Sequence, residues 1–264
     1  MVETTFNYLA DMTERPTYYT YEPPAGKPWR NTKGDRRTMS VESARQLEPA
    51  PSLDREGFHL VRHATAAENL RDQRAIRETY YAEVEALVKR ETGARRVVAF
   101  DHNLRSSAKG EERENLQRDP VRYAHNDYTE LSGPQRVRDL FPAEADELLA
   151  RRFAVINVWK PLAGPVEQAP LAVCDARTIA AEDFVPTDLL YPDRKGEVYS
   201  LRYGRTHRWF YYPQMRADEV MLLKCYDSAR DRARFTAHSA FDDPSSPPEA
   251  RPRESIEVRT LAFF

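Results

Sequence analysis

The sequence predicts a mainly β protein with flanking helices, folded as a sandwich or jelly roll. After residue 150 it passes through short apolar segments at 153–159, 171–175, 198–203, 209–212, 220–226, 235–238 and 256–263, divided by Pro, Gly or charged turns. Strands at such close spacing, with few helices between them, belong to antiparallel two-sheet folds rather than to alternating βαβ units. A second observation is an absence. No GxGxxG run, phosphate loop or internal repeat occurs, which argues against the nucleotide-binding folds. The 264 residues suffice for one domain with a substantial core.

Residues 1–57 carry Pro16, Pro23, Pro24, Pro28, Pro49 and Pro51 among Thr, Tyr and charged residues. Proline fixes φ and removes a donor, so this part is expected as an extended arm packed on a single domain spanning 1–264. Phe6-Asn7-Tyr8-Leu9 suits a short strand within it. Residues 58–64 suit another strand, with His59 and His63 as surface or turn histidines. From 69 to 91 the apolar positions Tyr80, Val84, Leu87 and Val88 recur at helical steps, and Gly93 ends the helix as its left-handed cap. Residues 96–100 read as a buried strand running into Asp101-His102-Asn103-Leu104-Arg105, where Arg105 is a candidate to line a pocket and His102 is structural or pocket-lining. A polar loop follows over 106–119. Residues 135–150 form an amphipathic helix in two pieces around Pro142. The strongest strand, 153–159, is expected to stop at Lys160-Pro161, and 183–192 is expected as a loop.

Charged residues make up 31% of the chain, yet the net charge is −2, so no bulk attraction to nucleic acid or membrane follows. Fourteen Tyr and 11% aromatic content exclude a disordered chain. Cys174 and Cys225 stand far apart without metal-ligand spacing and read as buried reduced thiols. No apolar run reaches the roughly 18 residues of a membrane span and no signal-peptide core opens the chain, so a cytoplasmic location is expected. The expected partner is a small-molecule substrate, with no nucleic acid and no membrane; the oligomeric state is left open.

The stretch with chemistry in it is Arg122-Tyr123-Ala124-His125-Asn126-Asp127-Tyr128-Thr129. On a strand, side chains two apart share a face, so His125 and Asp127 can reach one ion. With one distant histidine they make the two-His-one-carboxylate triad that leaves open positions on a non-haem Fe(II). Two downstream histidines compete for the third place, His207 in Thr206-His207-Arg208-Trp209 and His238 in Phe235-Thr236-Ala237-His238. After His238 come Arg253-Glu254-Ser255, whose first and last side chains share a face and can grip one carboxylate of an oxo-acid co-substrate. No such Arg-x-Ser pair follows His207 at the matching place, which favours His238. Tyr128, Asn157, Trp159 and His207 join Arg105 as candidate substrate-lining residues, with core packing as the alternative for each.

The runs His125-Asn126-Asp127-Tyr128-Thr129, Gln135-Arg136-Val137-Arg138-Asp139-Leu140, Asn157-Val158-Trp159-Lys160-Pro161 and Leu222-Leu223-Lys224-Cys225-Tyr226-Asp227-Ser228 resemble one family. So do the runs 235–244 and 253–259. It is the Fe(II)/2-oxoglutarate-dependent oxygenase group of natural-product hydroxylase/desaturases, with gibberellin desaturase-like and cephamycin methoxylation protein-like members. The resemblance covers about residues 58–264. It implies a double-stranded β-helix core, cupin-like, with helices packed outside. Position by position, it implies His125, Asp127 and His238 as iron ligands and Arg253 as the 2-oxoglutarate anchor, with Ser255 beside it. The implied cofactors are Fe(II), 2-oxoglutarate and O2. The implied reaction hydroxylates or desaturates an unactivated C–H position of a small natural-product or amino-acid-derived substrate, releasing succinate and CO2. Two other classes stay open: a cupin-like metalloenzyme not using 2-oxoglutarate, and a catalytically silent small-molecule-binding barrel.

Overall fold

The computed structural model describes residues 1–108 and 118–264. The polar loop expected over 106–119 therefore falls largely outside the described residues. In chain order the elements begin with β1 (Val2–Leu9), β2 (Thr17–Tyr19), β3 (Gly34–Ser43) and β4 (Phe58–Arg62). A helical segment follows: α1 (Gln73–Ala75), a π turn over Ile76–Tyr80, and α2 (Tyr81–Thr92). Then come β5 (Arg96–Ser106), β6 (His125–Asn126), α3 (Ser132–Leu140), α4 (Ala145–Leu149), β7 (Phe153–Pro161) and β8 (Leu171–Cys174). The remaining strands are β9 (Phe184–Leu190), β10 (Lys195–Leu201), β11 (Trp209–Tyr211), β12 (Glu219–Asp227), β13 (His238–Ala240) and β14 (Glu254–Phe263).

Among the described residues these strands form two sheets, one of nine in the order β1-β3-β11-β8-β13-β6-β10-β9-β2 and one of five in the order β4-β12-β7-β14-β5. The long jumps between neighbours in space and in sequence are those of a jelly roll. Alternation along each strand sorts the side chains into three apolar layers. Between the sheets lie Val173 and Phe210 from the large sheet and Val155, Trp159, Met221 and Leu223 from the small one. Outside the small sheet, Ile156, Val158, Leu222, Ile256 and Val258 meet Val84, Leu87 and Val88 of α2. Outside the large sheet, Ala172, Cys174, Trp209 and Ala237 meet Phe6 and Tyr8 of β1.

The helix from 73 to 92 forms where its spacing predicted. The Asp72 carboxylate accepts from the Arg74 N–H at its start, and Gly93 at φ 71° closes α2. The first 57 residues hold three strands of the large sheet, β1, β2 and β3. β1 and β3 pair antiparallel from Val2↔Val41 to Leu9↔Gly34, and β3 then joins β11 in parallel at Val41↔Trp209. Two expected boundaries differ. Residues 184–190, expected as loop, are β9, paired to β10 from Phe184↔Leu201 to Leu190↔Lys195. Pro186 disguised it, but β9's other neighbour β2 pairs only with Asp188, Leu189 and Leu190, so Pro186 has no ladder partner on that side and its missing N–H costs nothing. β7 continues through Lys160-Pro161 rather than stopping there. Pro161 pairs only with Ser255 of β14, because the pairing to β12 ends at Trp159.

Candidate metal centre

The two sheets hold the site between them. Across the large sheet the cross-strand register runs Ser200↔His125, His125↔His238 and His238↔Val173. The two histidines, 113 positions apart in sequence, are thus direct neighbours on the inner face, with ring centroids 4.4 Å apart. Their predecessors Ala124 and Ala237 point to the outer cluster around Trp209, as alternation requires. β6 is only two residues long, and the buried Asn126 amide ties it to β12 and to the segment entering β13. That amide donates to the Tyr128 and Cys225 carbonyls at 2.7 and 2.8 Å and accepts from the Thr236 N–H at 3.1 Å.

Asp127 follows β6 and turns back to the same face, its Oδ1 3.5 Å from His125 Nε2. One potential ligand atom from each of His125, Asp127 and His238 lies within 4.8 Å of the others. The histidine protons are placed by their partners. Nδ1 of His125 lies 2.8 Å from the Tyr123 carbonyl and Nδ1 of His238 lies 3.1 Å from the Thr236 carbonyl. A carbonyl only accepts, so both rings carry N–H at Nδ1 and offer a bare lone pair at Nε2. Burial and the adjacent His125 push His238 down to about 4, so its ring is neutral near pH 7. Burial alone would raise the Asp127 carboxyl, yet Arg259 and the two histidines hold it well below the usual carboxylate range. Two imidazole nitrogens and one carboxylate oxygen suit a divalent first-row metal.

The facing wall is the small sheet, whose inner side chains stand in three cross-strand rows. The first runs Asp101, Arg259, Asn157, Leu223; the second Asn103, Glu257, Trp159, Met221; the third Arg105, Ser255, Pro161. Asn157 and Arg259 both donate to Asp127 Oδ2, at 2.8 and 3.1 Å. Arg259 also reaches Asp101 at 2.9 Å and Glu257 at 3.4 Å. Burial would lower this guanidinium, but Asp127 and Glu257 hold it well above its ordinary value. Burial, with Asp127 nearby, pushes the Glu257 carboxyl up.

Arg253 is buried beside the third row. One of its nitrogens donates to the Ala169 carbonyl at 2.6 Å, its Cζ lies 5.5 Å from the centroid of the Trp159 ring, and its Nε–H has no partner among the described residues. No carboxylate among the described residues pairs with it, and burial with Arg105 and Arg122 nearby pushes it down to about 9. It remains a cation near pH 7, aimed into the interior without an anion. That is the environment a carboxylate ligand would complete. Arg253 also borders a cavity of about 260 Å³ lined by Ser106, Gly164, Val166 and Arg251.

The structure brings together His125, Asp127, His238, Asn157, Trp159, Arg253, Ser255 and Arg105, the last facing Ser255 across β5 and β14. Tyr128 is packed in the core between the sheets. It does not bring His207 to them. His207 stacks on Tyr8, within the cluster on the other face of the large sheet. Its Nε2 lies 3.0 Å from Asp183 Oδ2, and the Gly204 N–H and Tyr8 hydroxyl face Nδ1 at 3.4 and 3.3 Å. Its proton therefore sits on Nε2 and its lone pair is occupied, the reverse of the two site histidines. His102 likewise faces the helical layer, hydrogen-bonding Tyr81 and Gln73 at 2.8 and 2.9 Å rather than lining the interior. Glu257 and Arg259 are site residues that motif reading passed over. The alternation that aligns Arg253 with Ser255 continues to both, and was the available signal.

A family model described as Oxidoreductase/YMDC permease-like domain matches residues 6–263. No helix among the described residues is long and apolar enough to cross a membrane. The chain is 36% identical over 260 residues to the Fe(II)/2-oxoglutarate-dependent dioxygenase nvfI of Aspergillus novofumigatus, covering 95% of this chain and 92% of that protein. It is 31% identical over 287 residues to the hydroxylase/desaturase efuI of Hormonema carpetanum, covering 100% and 95%. Among solved structures, the iron and alpha-ketoglutarate-dependent endoperoxidase NvfI matches with a TM-score of 0.90 at 34% identity, over 99% of this chain and 97% of that one.

Proposed function

Because this chain belongs to the Oxidoreductase/YMDC permease-like family and, within it, to the Fe(II)/2-oxoglutarate-dependent dioxygenases, we propose that His125, Asp127 and His238 hold the iron and that Arg253, with Ser255, anchors 2-oxoglutarate. The protein is an oxidoreductase of the hydroxylase/desaturase kind and uses Fe(II), 2-oxoglutarate and O2. The observation that carries the site assignment is the convergence of the three ligand atoms within 4.8 Å, with both Nδ1 protons committed to backbone carbonyls.

Bound there, iron with 2-oxoglutarate and O2 supplies an oxidant able to take hydrogen from an unactivated carbon, with succinate and CO2 released. The side chains have the remaining tasks. His125 and His238 present Nε2, and Asp127 presents Oδ1. The Arg253 guanidinium gives a carboxylate charge-assisted hydrogen bonds that its present surroundings leave unused, and the Ser255 hydroxyl stands on the same face. Trp159 and Arg105 stand on the inner face of the small sheet, toward the space proposed for a small natural-product or amino-acid-derived substrate. Val173, Phe210, Met221 and Leu223 keep the surroundings apolar, which strengthens each charged contact within.

The test is anaerobic titration with Fe(II). About one ion per chain is expected, with binding abolished in His125→Ala, Asp127→Ala and His238→Ala and retained in His207→Ala. Unchanged affinity in any of the first three would remove that residue from the site. Turnover of 2-oxoglutarate to succinate by the parent, absent from these three variants, completes the reading.

A further inference from the structure

The run Asn157-Val158-Trp159-Lys160-Pro161 stands out in the sequence, yet none of its residues is a ligand to iron or co-substrate in the reading above. We propose that Asn157, together with Arg259, is a positioning residue that fixes Asp127 as a one-oxygen ligand. The inference rests on the assignment of Asp127 to the metal.

Both nitrogens meet the same carboxylate oxygen, Asp127 Oδ2, at 2.8 and 3.1 Å, while Oδ1 is the oxygen facing His125 Nε2 at 3.5 Å. A carboxylate oxygen that accepts two hydrogen bonds, one from a cation, has its lone pairs engaged and is the poorer metal donor. The other oxygen is left for the ion. Arg259 is itself held by Asp101 and Glu257, so it cannot swing away to free Oδ2. Outer partners of this kind set a ligand's orientation and basicity.

The Asn157 amide is only half used by the fold. The side chain is fully buried on the central strand of the small sheet, and its Oδ1 has no hydrogen-bond partner. Its cross-strand neighbours are Leu223 and Arg259. A buried amide oxygen with no partner costs folding free energy, and a leucine, with the same number of side-chain heavy atoms, would remove that cost together with the bond to Asp127. Retaining asparagine here favours the site over stability, as sites often do. Trp159, two residues on and on the same face, lies against Arg253, so one strand backs both the metal carboxylate and the co-substrate anchor.

The experiment uses Co(II) as a spectroscopic substitute for iron and compares the parent with Asn157→Leu, Arg259→Lys and Arg259→Met. Asn157→Leu is expected to melt, metal-free, at the parent's temperature or above, and to bind Co(II) on the order of 10- to 100-fold more weakly with a shifted visible ligand-field spectrum. Arg259→Lys should keep part of the affinity that Arg259→Met loses. An Asn157→Leu protein with the parent's Co(II) affinity and spectrum would overturn the proposal. So would a lower melting temperature with both unchanged, which is the mark of a structural role. A parent that binds no Co(II) would remove the metal assignment itself, and the proposal with it.

Discussion

Arg253 holds a positive charge in the interior, and among the described residues its Nε–H has no partner and no carboxylate forms an ion pair with it. Such a group weakens the empty protein and strengthens the complex, and the two effects separate in one variant. Arg253→Met keeps much of the packing on Trp159 and removes the charge. The apo protein should melt at or above the parent's temperature. Its 2-oxoglutarate affinity should fall by roughly 30-fold or more, since losing a buried charge partner costs on the order of 2–5 kcal/mol. Titration of the metal-loaded protein with 2-oxoglutarate checks the second part and thermal melts the first; an unchanged affinity would place the anchor elsewhere. Four of the five residues proposed for iron and co-substrate stood out in the sequence because His-x-Asp and Arg-x-Ser follow the two-residue period of a strand, a local property; the fifth, His238, was singled out by its order before Arg-x-Ser. What Asn157 and Arg259 do was not legible. Their meeting at Asp127 depends on the register of β7 against β14, which no short window of sequence contains.

The element that places His238 is held by a glycine far from it in sequence. Gly57 sits at φ +90°, and a Cβ there would stand 2.1 Å from Thr236 Oγ1. That hydroxyl donates to the Gly57 carbonyl at 2.9 Å, and the Thr236 carbonyl in turn accepts the His238 Nδ1 proton. Gly57→Ala therefore combines an unfavourable φ with a clash, and should cost roughly 2–4 kcal/mol in urea denaturation and weaken metal binding as well. Gly93→Ala is the control. Its φ is +71° but no atom lies within 4 Å of the added carbon, so only about 1 kcal/mol is expected, with metal binding untouched. β11 and the turn before it carry a pH signature. Burial lowers His207 below its unfolded value, with Asp183 offsetting part of the shift. A group depressed on folding contributes stability above its unfolded pKa of about 6.5, lost as pH falls toward the folded value. Urea midpoints measured from pH 7 to pH 5 should fall less steeply in His207→Gln than in the parent; equal slopes would show that His207 does not titrate with unfolding.

Over the whole molecule, the strand rhythm after residue 150 was enough to predict two packed sheets, because closely spaced strands have few other ways to bury their apolar faces. The place of the first 57 residues was harder to read. Their prolines and charges obscure a hairpin whose partners, β11 and the segment before His125, lie over 80 positions away. β1 pairs with all eight facing residues of β3, puts Phe6 and Tyr8 into a fully buried cluster, and accepts the Ala124 N–H at the Asn7 carbonyl at 2.9 Å, one residue before the first histidine. We therefore propose that these residues belong to the same cooperative unit as the site. Phe6 stacks on Trp209 with centroids 4.3 Å apart, so Phe6→Ala leaves a cavity against an intrinsic fluorophore. Its cost should be about 3–5 kcal/mol. In one unit, tryptophan fluorescence, far-UV circular dichroism and loss of bound Co(II) would shift together to lower urea as a single transition. A dispensable arm would behave otherwise: fluorescence would change early, while metal loss and the main loss of β structure stayed at the parent's midpoint.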